Sequence, residues 1–141
     1  MSIAAEAALR AWVNARPIVG EGQLLSRGAY LREQRSPADG AYAVIARNPE
    51  GLGSIVAEDS TLARARIQAV VFAGTEEAAE NAAAALLSEF EKLTGMPEPC
   101  GTTGVTVLIA DNFTGPFFQP APPASSGEIY SFQVGADFVL R

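Results

Sequence analysis

Two adjacent carboxylates, Glu58 and Asp59, are the first residues in this chain whose types could do acid–base or metal chemistry. Neighbours on an extended chain point to opposite sides, so this pair is poorly suited to share a proton or a cation. Glycines recur at Gly20-Glu21-Gly22 and Gly51-Leu52-Gly53 without the third glycine of a dinucleotide fingerprint, and no Gly-Lys-Ser/Thr occurs. They read as turn glycines. Gly101-Thr102-Thr103-Gly104 could offer hydroxyls and N–H groups to an anion, but it more simply starts a strand. Cys100 stands in Met96-Pro97-Glu98-Pro99-Cys100-Gly101; the chain has no histidine and no second cysteine to join it in metal binding or activate it as a nucleophile. A serine or threonine hydrolase would lack its histidine base. The expectation is a protein without catalytic, cofactor-binding or metal-ligating residues, acting other than as an enzyme.

The elements that surround these residues fit in one domain spanning 1–141, because 141 residues are enough for one core and too few for two. Apolar residues make up 48% and charged residues 18%, which argues against disorder, and a net charge of −6 argues against a sequence-independent nucleic-acid binder. Glu6 and Arg10 interrupt the N-terminal segment, so it does not read as a signal peptide. The apolar runs Ala82 to Leu87 and Ala69 to Ala73 are far short of the roughly 20 residues that span a bilayer. A soluble protein, cytoplasmic when made, is expected.

Ile3 to Ala15 sets Ala5, Ala8, Leu9, Trp12 and Val13 on one side and Glu6, Arg10 and Asn14 on the other, the period of an amphipathic helix. Ser2 is its candidate N-cap and Pro17 its stop. Gly28 to Gln34 and Ala41 to Arg47 read as two strands of a hairpin joined through Ser36-Pro37-Ala38-Asp39-Gly40. Leu62 to Ala73 alternates, with Ala63, Ala65, Ile67, Ala69 and Val71 opposite Arg64, Arg66 and Gln68. Thr75 caps a second helix whose stripe is Ala79, Ala82, Ala83, Leu86, Leu87, Phe90 and Leu93, with Gly95 just past its end. Its alanines either let it lie close to a sheet or another subunit, or serve only as helix formers. Gly104 to Ala110 is a short strand, and Asn112 to Gly127, with four prolines, is a long loop of the kind that extends or flaps. In Ile129 to Leu140, Tyr130, Phe132, Val134, Ala136, Phe138 and Leu140 share one face. The order helix, three strands, helix, two strands predicts an α+β fold, a single mostly antiparallel sheet with two helices packed on one face.

Charge is divided along the chain. Through Gly74 there are seven acids and eight arginines; from Thr75 there are nine acids against Lys92 and Arg141, so the halves carry +1 and −7. Arg27, Arg32, Arg35, Arg47, Arg64 and Arg66 fall on the first three strands and their loops, while Glu76, Glu77, Glu80, Glu89 and Glu91 crowd the second helix. Two readings fit: two solvated faces neutralise each other within a monomer, or a positive patch on one subunit meets a negative patch on the next and closes a ring. Candidate interface residues on the second reading are Arg32, Arg35, Asp39, Arg47, Arg64, Arg66, Glu76, Glu77 and Glu80. If Arg64 and Arg66 face a neighbour, changing both to Glu is expected to block assembly and leave the fold intact.

The phrases Leu9-Arg10-Ala11-Trp12-Val13-Asn14-Ala15-Arg16 with Val19-Gly20-Glu21-Gly22, Gly28-Ala29-Tyr30-Leu31 with Arg35-Ser36-Pro37-Ala38-Asp39-Gly40-Ala41-Tyr42, and Tyr130-Ser131-Phe132-Gln133-Val134 resemble the tail terminator (tail completion) proteins of long-tailed phages of actinobacteria. The resemblance runs over nearly the whole chain. It implies a virion structural protein at the head-proximal end of the tail, forming a six-membered ring on the tail tube, halting tube polymerisation and presenting the surface that joins head-tail connector proteins. DNA would pass through the ring without specific binding, in keeping with an acidic subunit, and no membrane is implied. The Arg-Ser-Pro-Ala-Asp-Gly segment and the proline-rich loop are candidate contact arms. A head-tail connector or minor capsid component on a related fold is the neighbouring alternative. A small-ligand-binding domain, with the 112–127 loop over a pocket backed by Tyr130 and Phe132, comes from a different class.

Overall fold

In the computed structural model, residues 4–32, 40–48, 62–95, 97–119 and 130–141 are described. Helix α1 spans Ala5–Asn14 and α2 spans Glu76–Glu91, the latter continuing into a 3-10 turn at Lys92–Thr94. The strands are β1 Gly28–Tyr30, β2 Tyr42–Arg47, β3 Ala63–Ala73, β4 Glu98–Pro99, β5 Thr106–Gln119 and β6 Tyr130–Leu140. They form one six-stranded sheet in the order β1-β2-β3-β6-β5-β4. The fold is α+β, as the element order predicts.

Both helices lie on one face because the apolar stripes agree. Ala5, Ala8, Leu9, Trp12 and Val13 of α1 are all buried, and so are Ala79, Ala82, Ala83, Leu86 and Phe90 of α2, with Leu87 partly buried. They meet Ala65, Ile67, Ala69 and Val71 of β3 and Phe132, Val134, Ala136, Phe138 and Leu140 of β6 in one core. The Trp12 ring stacks on Phe90 at 5.8 Å, and Phe90 meets Phe138 edge-on at 5.2 Å, so the helices touch each other as well as the sheet. Burying a side chain of Leu or Phe size contributes about 1.5–3 kcal/mol, and the helices supply Leu9, Trp12, Leu86 and Phe90 where the central strands supply Ile67, Phe138 and Leu140. Ala79, Ala82 and Ala83 have no exposed surface, so the small-residue half of α2 does seat closely.

Thr75 caps α2 as the sequence predicts, its Oγ1 accepting from the Ala78 N–H at 3.1 Å. The start of α1 differs. Ala4 occupies the N-cap position with no side-chain bond, and the expected cap, Ser2, lies outside the described residues.

Three further expectations change. The pair β1 and β2 is parallel, Gly28 opposite Tyr42 and Tyr30 opposite Val44, so it is not a hairpin. The connection between them exceeds the roughly 2–5 residues of a hairpin loop, and β1 is held from its other side by Asn14: Oδ1 accepts from the Ala29 N–H at 2.7 Å and Nδ2 donates to the Ala29 carbonyl. Gly28, at φ +79°, is what lets the chain come so near, since an added Cβ would collide with Asn14 Oδ1. The expected turn residues Ser36 to Asp39 lie outside the described residues, as do Glu58, Asp59 and the Gly51-Leu52-Gly53 glycines.

The second change is β5. It does not stop near Ala110 but runs 14 residues to Gln119, taking in the first half of the expected loop. Breaks in register between Asp111 and Thr114 and between Thr114 and Phe117 absorb Asn112, at φ 50°, and the cis Gly115–Pro116 bond. Bulges let turn-forming residues sit in a strand whose partner is continuous. The rest of that loop, residues 120–127, lies outside the described residues. The third is β4, a two-residue edge strand opposite Thr106 and Val107 that the sequence does not announce.

Candidate functional site

The long pair β3–β6 gives the molecule a direction. At one end stand Ala73 and Tyr130, with Phe72 opposite Ser131 and Phe118 opposite Phe132; at the other, Ala63 faces Leu140 and Arg64 faces Val139. Helix α2 starts just after β3 ends, so its first turns belong to the first of these ends and Arg47, Arg64 and Arg141 to the second. At about 3.3 Å per residue the ends of β3 are separated by roughly 30 Å. Over that distance two exposed charges are screened from each other at physiological salt.

This geometry divides the two readings of the charge split. Part of the split is neutralised inside the chain. Arg16 NH1 meets Glu98 Oε2 at 3.3 Å, and Trp12 Nε1 donates to the same oxygen at 2.9 Å. Lys92 Nζ lies 2.6 Å from Glu89 Oε2, whose other oxygen faces Arg16 Nε at 3.7 Å. Glu89 is therefore a buried, doubly matched carboxylate joining α2 to the end of α1, which its place in an acidic helix conceals. The sequence reading of that helix as one charged face missed it. A glutamate one residue before the buried Phe90 was the available signal.

Arg66 is matched too. Its NH1 lies 3.3 Å from Asp137 Oδ1 and donates to the Asn112 carbonyl at 2.6 Å, while NH2 donates to Thr114 Oγ1 at 2.7 Å. Asn112 Nδ2 donates to Asp137 Oδ2 at 2.7 Å, closing the network over the β5 irregularity between Asp111 and Thr114. Asp137 is 5% exposed. Arg66 is thus engaged within its own chain, and the expectation that Arg66→Glu leaves the fold intact is corrected: reversal there would face Asp137 with a second carboxylate.

The other candidates are placed differently. Glu76, Glu77 and Glu80 are exposed on the outer side of α2 and make no ion pair among the described residues. Arg47 is exposed and donates to the Arg64 carbonyl at 3.3 Å. Arg64 is half-buried, and its Nε lies out of solvent with no acceptor among the described residues. Arg32 is exposed beyond the end of β1, and Arg35 and Asp39 lie outside the described residues.

Two apolar features were not anticipated. Phe117 and Phe118 are 58% and 52% exposed near the end of β5, and Ile109 and Leu62 are about two-fifths exposed towards the arginine end. On the sheet face away from the helices, Tyr42 is buried between Phe72, stacked at 5.2 Å, and Tyr30, edge-on at 5.9 Å, with the Arg27 guanidinium 5.0 Å above its ring. Phe132, expected behind a ligand pocket, lies in the core with Phe118 edge-on against it at 5.5 Å. Among the described residues no cluster of His, Cys, Asp or Glu could hold a metal ion. Cys100 is fully buried, and burial pushes its thiol up to about 11, helped by nearby Glu98 and opposed by the Val107 backbone hydrogen bond. Its thiolate, the nucleophilic form, is therefore suppressed at neutral pH. No described helix is long and apolar enough to cross a membrane.

The class this fold defines is a two-layer α+β domain, two helices over one mixed sheet. Comparison with protein-family models, with curated proteins and with solved structures found no match.

Proposed function

We propose that this chain is a structural subunit of the tail terminator kind: it closes into a ring on the head-proximal end of a phage tail tube, stops tube growth and offers the surface that head-tail connector proteins join. The resemblance of its opening, middle and closing phrases to that family supports the reading. The observation that carries it is the separation of unmatched charge, with Glu76, Glu77 and Glu80 at one end of the sheet and Arg47 and Arg64 at the other. Charges that cannot meet within one subunit can meet between subunits arranged head to tail, and a closed rotation of such contacts makes a ring. Arginine suits the contact because its planar fork pairs with carboxylates. Tail tube protein and head-tail connector are the partners in this reading, and DNA passes through without specific binding.

The experiment is electron microscopy of tail tube protein polymerised with and without this chain. Tubes of defined end with a ring of extra density on one end are expected. Tubes that elongate unchecked and carry no such density overturn the reading, and labelling within assembled particles that places the chain at the head vertex assigns it to the connector instead.

A further inference from the structure

Phe117 and Phe118 are consecutive residues of β5, and both are exposed. Neighbours on a strand point to opposite faces. Phe117, opposite Gln133, lies on the helix-free face of the sheet, and Phe118, opposite Phe132, lies on the helix side. A partner resting on either face would cover one ring and leave the other in water. Only a partner in the plane of the sheet, alongside β5, reaches both.

That place is open. The side of β5 turned away from β6 is paired with β4 at Thr106 and Val107 alone, so among the described residues no strand lies beyond Leu108 to Gln119. Most of this edge carries features that discourage strand addition, namely charge, irregular register and proline. Asp111 is exposed, Asn112 is left-handed within a break in register, and Pro116 has no N–H to offer. Phe117, Phe118 and Gln119 pair with β6 in unbroken register and carry none of these features. The opposite edge of the sheet is closed. There β1 has three residues, and Asn14 takes both the N–H and the carbonyl of the middle one, Ala29.

We infer that the Phe117–Gln119 edge pairs antiparallel with the same edge of a second copy of this chain, about a two-fold axis normal to the sheet at Phe118. With one open edge per chain, strand addition between copies can join only like to like, and such a contact is isologous and closes at two. Self-pairing needs a stretch that tolerates its own kind, because like charges set opposite each other on paired strands repel. No residue from Asn112 to Gln119 is charged. Centring on Phe118 sets it against Phe118 of the second copy on the helix side and sets Phe117 against Gln119 of the second copy on the other face. One contact thus covers both phenylalanines, and Pro116 falls outside the three paired positions. The contact uses none of Glu76, Glu77, Glu80, Arg47 and Arg64, so it does not rest on the ring reading.

Sedimentation equilibrium of the full chain at high salt, where exposed charges are screened from one another, tests the pairing together with hydrogen exchange at the amides of residues 117–119. A monomer–dimer equilibrium that stops at twice the chain mass is expected, with those amides exchanging more slowly in the dimer than after dilution to monomer. Phe118→Lys, which opposes two ammonium groups at the axis, is expected to abolish the dimer, and Phe118→Leu to keep it, with circular dichroism to establish that each is folded. Because Phe118 also packs on Phe132, Phe117→Lys is a second variant with the same expected loss. A parent that stays monomeric at its highest soluble concentration, folded lysine variants that dimerise as the parent does, or a dimer in which exchange at 117–119 is unchanged overturns the inference. Protection of those amides by added tail tube protein, with the chain alone monomeric, would give the edge to that partner and likewise overturn pairing with a second copy. Tube capping is read separately: a parent that dimerises through this edge but leaves tubes uncapped refutes the terminator reading alone.

Discussion

Arg66 on β3 and Asp137 on β6 form an ion pair, 3.3 Å apart, between directly opposed residues of two central strands paired without a break. The pair does more than join neighbours that backbone bonds already join. Through the Asn112 carbonyl and Thr114 Oγ1 the same guanidinium holds the irregular part of β5. Beyond it, Phe117 and Phe118 are held by their pairing with Gln133 and Phe132 of β6.

Asp137→Ala should therefore be severely destabilising. It leaves a largely buried guanidinium unmatched, and breaking such a pair costs about 3–5 kcal/mol. Urea denaturation should show it as a lower midpoint. Arg47→Glu, exposed and outside the network, should lie within about 0.5 kcal/mol of the parent. Equal effects of the two would mean that Arg66 is not the anchor.

Gly135 faces the same network. A Cβ there would stand 3.0 Å from Thr114 Oγ1 and 3.2 Å from both an Arg66 nitrogen and the Ile67 carbonyl. Gly135→Ala is expected to lower stability by about 1–3 kcal/mol through overpacking. Hydrogen exchange should quicken at β5 residues 112–119 before it changes in α1.

Thr75→Ala removes the α2 cap bond and should cost about 0.5–2 kcal/mol, read from thermal or urea unfolding. Thr75→Ser, which keeps the oxygen, should recover most of it.

Cys100 gives a pH signature. The folded chain holds the thiol protonated up to about 11, while in the unfolded chain it ionises near its ordinary 9.0. Between those values unfolding releases a proton, so this contribution to stability is complete below the lower value and declines as pH rises towards the upper one. Cys100→Ala should flatten that alkaline decline in urea midpoints. A thiol reagent at neutral pH should modify the parent only as fast as it unfolds; immediate stoichiometric labelling would contradict the burial.

The elements with one clean period were legible in the sequence. The stripes of α1 and α2 and the alternation of β3 and β6 identify the buried residues nearly one by one, because periodicity alone fixes which face a side chain occupies. The second half of β5 was not, since Asn112, Gly115 and Pro116 carry the local chemistry of a loop and only pairing with β6 keeps them extended. The parallel pairing of β1 depends on Asn14, a residue 15 positions from its partner Ala29 and in another element.

The charge division between the two halves was determined by the sequence itself, as was the absence of histidine. Which charges remain available was decided by tertiary structure alone. Arg16, Lys92 and Arg66 find Glu98, Glu89 and Asp137, two of these three carboxylates being buried where an unmatched charge would be costly. Among the described residues Glu76, Glu77 and Glu80 have no such partner, and the length of β3 stands between them and Arg64. Residue types and their order fix how much charge each half carries, but an ion pair forms only where folding brings two groups within a few ångströms, and that is a property of strand register and helix packing.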